Sequence, residues 1–394
     1  MTVEGEVAPG FDKVREAFEA NFAQHGDVGA AFALYVGGEK VVDLWGGTAD
    51  TESGRPWTED TLQLFFSTTK GVTAICAHLL AQRGELDLDA PVASYWPEFK
   101  AEGKENVPVR WLLSHRAGLP VVDTTLTPED VYAWDPVVEA LAAQRPVWEP
   151  GTKHGYHALT YGWLVGEVIR RVSGRSVGSF FRDEIGEPLG LDLWIGLPAE
   201  HEPRVAPLIL LQPLGEQVSE DVLSTLPEEM QKMIRAFTDP DSLTQRALNV
   251  TRPPLDFNSR EVHAAEIPAA NGISTARSLA KLYAACVGEV DGSRVLEPAQ
   301  VQDALAERSN GPDEVLMIPT RFGSGFFLNS TFAPLLGERS FGHAGAGGSL
   351  GFADPDAQVG FGYVMNKMQA SLAGDPRTLT LIQAVRSSLG GPGN

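Results

Sequence analysis

Cysteine is scarce in this 394-residue chain: Cys76 and Cys286 are the only two. They stand far apart, and neither sits in a C-x-x-C or His/Cys cluster of zinc-site spacing. A disulfide framework is excluded, and a lone disulfide between the two is not needed. Basic residues are also few, 31 Lys+Arg against 52 Asp+Glu, for a net charge of −21. A chain this acidic repels phosphate backbones and anionic lipid heads unless it carries a concentrated basic patch, and the sequence has none. Nucleic acid and membranes are therefore not expected partners. Long apolar runs are missing as well: the stretch 205–214 is interrupted by Pro207 and Gln212, and nothing approaches the roughly 20 residues that span a bilayer. The first residues carry Glu4 and Glu6 and lack the basic and apolar regions of a secretory signal. A soluble, cytoplasmic protein is expected. The sequence carries no signal for a particular oligomeric state.

Nucleotide signatures are absent too. The glycines from Gly342 to Gly351 contain no G-x-x-x-x-G-K-[ST], and Gly345-x-Gly347 fails G-x-G-x-x-G at Leu350. Close backbone approach to a substrate is the better reason for them. His154 and His157 lack a third ligand at recognisable spacing. No cofactor and no metal are expected.

What is present is enough length for one large domain or two of ordinary size. Phe11, Val14, Phe18 and Phe22 recur at three or four, which predicts a helix over 11–22 that packs on a sheet. Runs 28–35 and 40–45 read as strands around a Gly37-Gly38 hairpin. Runs 321–328, 340–344, 349–354 and 359–366 read as further strands, followed by a helix over 379–389. Between the ends the pattern turns helical, over 71–83, 109–115, 128–144, 160–173 and 177–185. The stretch 198–268 is Pro-rich and acidic, with periodicity only around 227–237, and reads as a long surface excursion. The architecture this predicts is α+β: an antiparallel sheet flanked by helices and built from both termini, residues 1–70 and 270–394. A mostly helical domain, 71–269, is inserted between them, with the active site at the junction.

The segment Phe65-Phe66-Ser67-Thr68-Thr69-Lys70-Gly71 leads into an apolar helical pattern through Val72, Ile75, Leu79 and Leu80. If a helix begins at or just before Ser67, the serine lies at its positive end and Lys70 falls one turn later on the same face. That pairs a nucleophile with a base, since burial at a domain junction lowers a lysine's pKa. Alone, S-x-x-K is a short pattern that arises by chance, and a capping serine with a solvated lysine is the better account of it.

The surroundings change this. Downstream come Ser114-His115-Arg116-Ala117-Gly118-Leu119-Pro120, Trp148-Glu149-Pro150-Gly151, Tyr156-His157-Ala158, Pro188-Leu189-Gly190-Leu191, Asn271-Gly272-Ile273-Ser274 and Gly342-His343-Ala344-Gly345-Ala346-Gly347. In that order and at those intervals they resemble the serine β-lactamase and penicillin-binding-protein-like superfamily on its class C side, and within it the family VIII carboxylesterases. The resemblance covers nearly the whole chain. It implies a β-lactamase-like fold, with Ser67 as the acylated nucleophile, Lys70 as its partner and Tyr156 as the tyrosine that relays protons with the lysine. It also implies an oxyanion hole made by the backbone N–H groups of Ser67 and Ala346, and it sets His343-Ala344-Gly345 in the place of Lys-Thr-Gly.

Two departures bear on substrate. Ala158 stands where β-lactamases place an asparagine and cannot make that side-chain hydrogen bond. His343 replaces a lysine and Ala344 removes a hydroxyl, which weakens recognition of a β-lactam carboxylate. Both suit an ester. The expected activity is hydrolysis of small carboxylic esters through an acyl-enzyme, with β-lactamase, D-amino-acid peptidase or amidase, or acyltransferase chemistry as the alternative. A silent binding module is disfavoured, because Ser67, Lys70 and Tyr156 are all present. His343, Gly345 and His157 are candidate substrate contacts, and Val121 and Val122 are candidate apolar pocket walls. Gly347-Gly348-Ser349-Leu350-Gly351 matches the nucleophile elbow G-x-S-x-G, but no helix and no later histidine follow it. Ser349 is therefore read as a turn or strand residue.

Overall fold

A computed structural model of the chain describes residues 2–211 and 223–390. The strands are β1 (Val3–Val7), β2 (Gly29–Val36), β3 (Glu39–Asp50), β4 (Arg55–Pro56), β5 (Gln63–Leu64), β6 (Leu193–Trp194), β7 (Ile273–Ser274), β8 (Ser309–Pro312), β9 (Pro319–Phe322), β10 (Phe327–Leu328), β11 (Phe341–Ala344), β12 (Leu350–Asp354) and β13 (Val359–Met365). The main sheet runs β1-β3-β2-β13-β12-β11-β10-β9-β8, with β4 paired to β3. Its centre is where the two ends of the chain meet: β13 pairs antiparallel with β2 from Val359↔Val36 to Met365↔Ala30. A second, three-stranded sheet orders β5-β7-β6.

Two-residue alternation explains how the sheet is covered. Phe32 and Leu34 of β2 face a cluster with Val14 and Phe18 of α1 (Asp12–Gln24) and with Leu381 and Val385 of the last helix, Pro376–Leu389. Ala31, Ala33 and Tyr35 point the other way, into a core shared with α2 (Thr69–Gln82) and α3 (Thr160–Ser173). The helices Glu228–Thr238 and Leu243–Leu248, here α4 and α5, pack on each other, and Ala247 of α5 joins a separate cluster with Tyr156, whereas α6 (Ala276–Val287) lies in the α2–α3 core against the sheet. A Cβ at Gly360 would lie 2.3 Å from the Ala280 carbonyl oxygen, so this close packing of α6 needs glycine there. The C-terminal helix Pro376–Leu389 is α7.

Several expected elements differ in extent. The run 321–328 divides into β9 and β10 around a turn in which Gly323 N–H donates to the Phe326 carbonyl. The helix expected over 128–144 breaks at Trp134, whose φ is 69°. Pro136, two residues on, cannot continue the preceding helix. The expected elements include neither β1 nor α6. The stretch 198–268 is more than a surface excursion. Val205 pairs with Leu62, Thr251 pairs with Leu126, and Ala247 of α5 is fully buried beside Tyr156. Residues 212–222 of that stretch, including Gln212 in the 205–214 run, lie outside the described residues. Both cysteines are free and buried. Among the described residues no helix is long and apolar enough to cross a membrane.

Candidate active site

The chain enters the site from β5. Phe65 N–H donates to the Gly272 carbonyl at 3.0 Å, and Phe66 turns into the left-handed region at φ 45°. Thr69 Oγ1 fixes that turn, donating to the Phe66 carbonyl at 2.5 Å and accepting the Gly272 N–H at 2.8 Å. Ser67 follows, half-buried. α2 begins at Thr69, so Ser67 lies two residues ahead of the first helical residue instead of opening the helix. Its carbonyl nevertheless accepts the Lys70 N–H at 3.0 Å, and the tight turn delivers the expected spacing.

Lys70 is fully buried. Its Nζ lies 3.0 Å from Ser67 Oγ and donates to the carbonyls of Ala158 at 2.7 Å and Ala269 at 2.9 Å. Burial alone pushes the amine well below its ordinary value of 10.5. The position where an asparagine side chain is lost thus still serves the lysine, through the Ala158 carbonyl.

Tyr156 stands on the far side. Lys70 Nζ is 4.7 Å from the centre of its ring, which stacks with Phe322 and Phe327 and lies 6.0 Å from the His343 ring. Burial pushes the phenol well above its ordinary value, and a hydrogen-bonding interaction with Ser67 offsets part of this. The backbone is held by Asp313, whose Oδ1 accepts the N–H groups of Tyr156, Val315 and Leu316 at 3.0, 2.9 and 2.8 Å.

The third wall is β11 and the turn after it. Gly345 has no room for a side chain: a Cβ would lie 2.1 Å from the Phe65 carbonyl oxygen and 2.2 Å from Ser349 Oγ. That approach brings the β11–β12 turn onto the turn that carries Ser67. Ser349 clasps the two together, its Oγ donating to the Phe65 carbonyl at 2.8 Å and lying 3.2 Å from Thr68 Oγ1. Strand β12 follows it, so the G-x-S-x-G match is no elbow. Among the described residues, the N–H groups of Ser67 and Ala346 donate to no protein acceptor. Ala346 is half-buried, while its neighbours Gly345 and Gly347 are buried.

His343 is buried, and burial next to Lys70 holds its pKa well below the ordinary 6.5. Its Nδ1 donates to the Ala344 carbonyl at 2.7 Å. That leaves Nε2 with a lone pair and no partner among the described residues. His157 requires a correction as a substrate contact. It is fully buried, Nδ1 donates to the Gly155 carbonyl at 2.6 Å, and Nε2 accepts the Leu119 N–H at 3.0 Å. With both ring nitrogens occupied by the main chain, it is framework. Val121 is likewise corrected, because it is completely buried in the cluster around Tyr156 and exposes no wall. Val122 is half-buried. Sequence reasoning missed Asp313 and the Thr68–Ser349 clasp, whose roles exist only through contacts distant in the chain. The Asn271-Gly272-Ile273-Ser274 segment gives no hint of the work its asparagine does. The Asn271 side chain bonds the main chain at Val262, Ala265 and Ile267, shaping the loop that offers the Ala269 carbonyl to Lys70.

The chain matches the family model described as Beta-lactamase over residues 14–384. It belongs to the beta-lactamase family. Among solved structures of this fold, a family VIII carboxylesterase superposes with a TM-score of 0.86 at 40% identity, over 98% of this chain and 100% of its own. A penicillin-binding protein homologue from Caulobacter crescentus gives 0.85 at 40% identity, over the same shares. Esterase/beta-lactamase LipL of Mycobacterium tuberculosis is 38% identical over 374 residues, 93% of this chain and 84% of the relative. The antiparallel sheet with its helical covering is accordingly the beta-lactamase fold.

Proposed function

We propose that this beta-lactamase-family chain is a serine carboxylesterase that works through an acyl-enzyme on Ser67. The observation that carries the reading is the setting of Lys70: a buried amine 3.0 Å from Ser67 Oγ and bonded to two carbonyl oxygens. A neutral amine has two N–H groups and one lone pair. The carbonyls of Ala158 and Ala269 only accept, so they take both N–H groups, and the lone pair faces the serine hydroxyl. Lys70 is then the base. It takes the Ser67 proton as Oγ bonds the ester carbonyl carbon, and the carbonyl electron pair becomes an oxyanion held by the N–H groups of Ser67 and Ala346. Each such donor contributes about 3 kcal/mol in well-studied enzymes. As the carbon–oxygen bond to the alcohol breaks, the leaving oxygen takes a proton through Tyr156, whose phenol burial keeps protonated. Water repeats the sequence and frees the acid.

A neutral substrate is favoured by His343. Where the resemblance puts a lysine, this chain has a buried imidazole held below its ordinary pKa, which supplies no fixed cation for a carboxylate. The unpartnered Nε2 offers an acceptor to a donor on the substrate. Gly345 and Val122 complete the candidate contacts. A second reading, β-lactam hydrolysis, is favoured by the name of the relative LipL, printed as both esterase and beta-lactamase. The test is a panel of short and long p-nitrophenyl esters, a D-amino-acid amide and nitrocefin, with and without added alcohol, run on the wild type and on Ser67→Ala. The proposal expects esters to be turned over fastest and every activity to vanish in Ser67→Ala. Full ester hydrolysis by that variant sinks it, and nitrocefin as the best substrate favours the second reading.

A further inference from the structure

Behind the candidate oxyanion turn lies a buried ionic cluster that the mechanism above does not use. Arg377, in the first turn of α7, is fully buried. Its guanidinium has five N–H donors in a fixed fork, and all five are taken. Nε donates to Asp375 Oδ1 at 2.9 Å. Nη1 donates to Asp27 Oδ1 at 3.0 Å and to the Lys367 carbonyl at 2.8 Å. Nη2 donates to Asp375 Oδ2 at 2.8 Å and to the carbonyl of Gly347. Tyr363 closes the outer side, its hydroxyl donating to Asp27 Oδ2 at 2.7 Å.

A buried ion pair is weak evidence for stability, since desolvation offsets much of the attraction. What distinguishes this one is its last contact. Gly347 directly follows Ala346, the half-buried residue whose N–H donates to no protein acceptor among those described. The turn is pinned at several more points. Gly345 N–H donates to the Ser349 carbonyl at 2.8 Å, Gly348 N–H to the Gly345 carbonyl at 3.1 Å and Gly347 N–H to the Ser371 carbonyl at 3.0 Å. Ser371 Oγ in turn donates to Asp375 Oδ2 at 2.7 Å. At Gly348, with φ +125°, a Cβ would lie 2.2 Å from Arg377 Nη2, so the turn is fitted to the guanidinium itself.

We propose that Arg377, carried by Asp27 and Asp375, is a positioning residue that aims the Ala346 N–H at the oxyanion by holding the Gly347 carbonyl. This rests on the acyl-enzyme reading of Ser67 and Ala346. An oxyanion donor must be aligned before the charge forms, and losing one outright costs about 10²- to 10³-fold in turnover. Loosening one costs less.

The test is Arg377→Lys, which keeps a cation between the two carboxylates but replaces five forked donors with three on a single nitrogen. Turnover of a p-nitrophenyl ester should fall by about 10- to 100-fold, with KM changed less than about 2-fold. Affinity for a boronic acid that mimics the tetrahedral intermediate should fall by the same factor as kcat/KM. Tyr363→Phe removes a hydrogen bond from the same cluster without touching the turn, and should lower the melting temperature while leaving kcat unchanged. If Arg377→Lys fails to fold, Gly348→Ala crowds the guanidinium off Gly347 and takes the same readouts. A folded variant with wild-type kcat, or a loss of kcat equally large in Tyr363→Phe, overturns the positioning role. Failure of wild-type Ser67 to react with a fluorophosphonate would instead overturn the acyl-enzyme reading beneath it.

Discussion

At the scale of single residues, the chemistry turns on two groups driven in opposite directions by the same burial. Lys70 is pushed down from 10.5 and Tyr156 is pushed up from 10.0, which favours the neutral form of each, as the proposed base and the proposed acid require. A base must be unprotonated. Hence kcat/KM for a neutral ester should rise as pH climbs through the depressed Lys70 value, then stay level into the alkaline range where an ordinary tyrosine would ionise. A pH–rate profile checks both limbs. The same shift couples to folding. Between the depressed value and 10.5 the unfolded chain binds the proton that the fold excludes, so the contribution of Lys70 to stability rises with pH across that window. Lys70→Met, inactive as an esterase, should lack that slope when melting temperatures are followed from neutral pH upward. Ser349→Ala loses the clasp on the Phe65 carbonyl but no reacting group, and should cost at most about 10-fold in kcat, against about 10⁴- to 10⁶-fold for Ser67→Ala.

At the scale of elements, the site is assembled by loops that the sheet and α2 hold in register, and the loop from β8 to β9 carries more of this than its sequence suggests. Asp313 there accepts three buried N–H groups, one of them from Tyr156. Asp313→Ala orphans all three, at about 1–3 kcal/mol each. A loss of about 3 kcal/mol or more in urea unfolding is expected, together with lower kcat, while Asp313→Asn keeps an acceptor and should lose less. The elements legible in advance were those with their own periodicity, such as α3 and the β2–β3 hairpin. α6 has Leu279, Leu282, Tyr283 and Cys286 at helical spacing, a signal that was there to be found. β1 had none, because Glu4, Gly5 and Glu6 are exposed on an edge strand. Ser67, Lys70 and Tyr156 could be singled out because their motifs are local. Asp313 and Arg377 act through partners far away in the chain and leave no local pattern, and His157 misled because it sits beside Tyr156 yet turns inward.

At the scale of the whole molecule, the chain carries a net charge of −21, while around Ser67 burial favours the neutral forms of Lys70, Tyr156 and His343. Salt screens the outer field over about 10 Å at 0.1 M. For a neutral ester, kcat/KM should therefore change less than about 2-fold between low and high salt, whereas a cationic ester steered by that field should lose rate as salt rises. Stopped-flow or steady-state rates on a matched pair of esters separate the two. The central claim is that one serine among many becomes acylated. Treating the wild-type protein with a fluorophosphonate and locating the modified peptide by mass spectrometry tests it most directly. A single adduct on Ser67, lost in Lys70→Met, is expected. An adduct on Ser349, or none on Ser67, would contradict it.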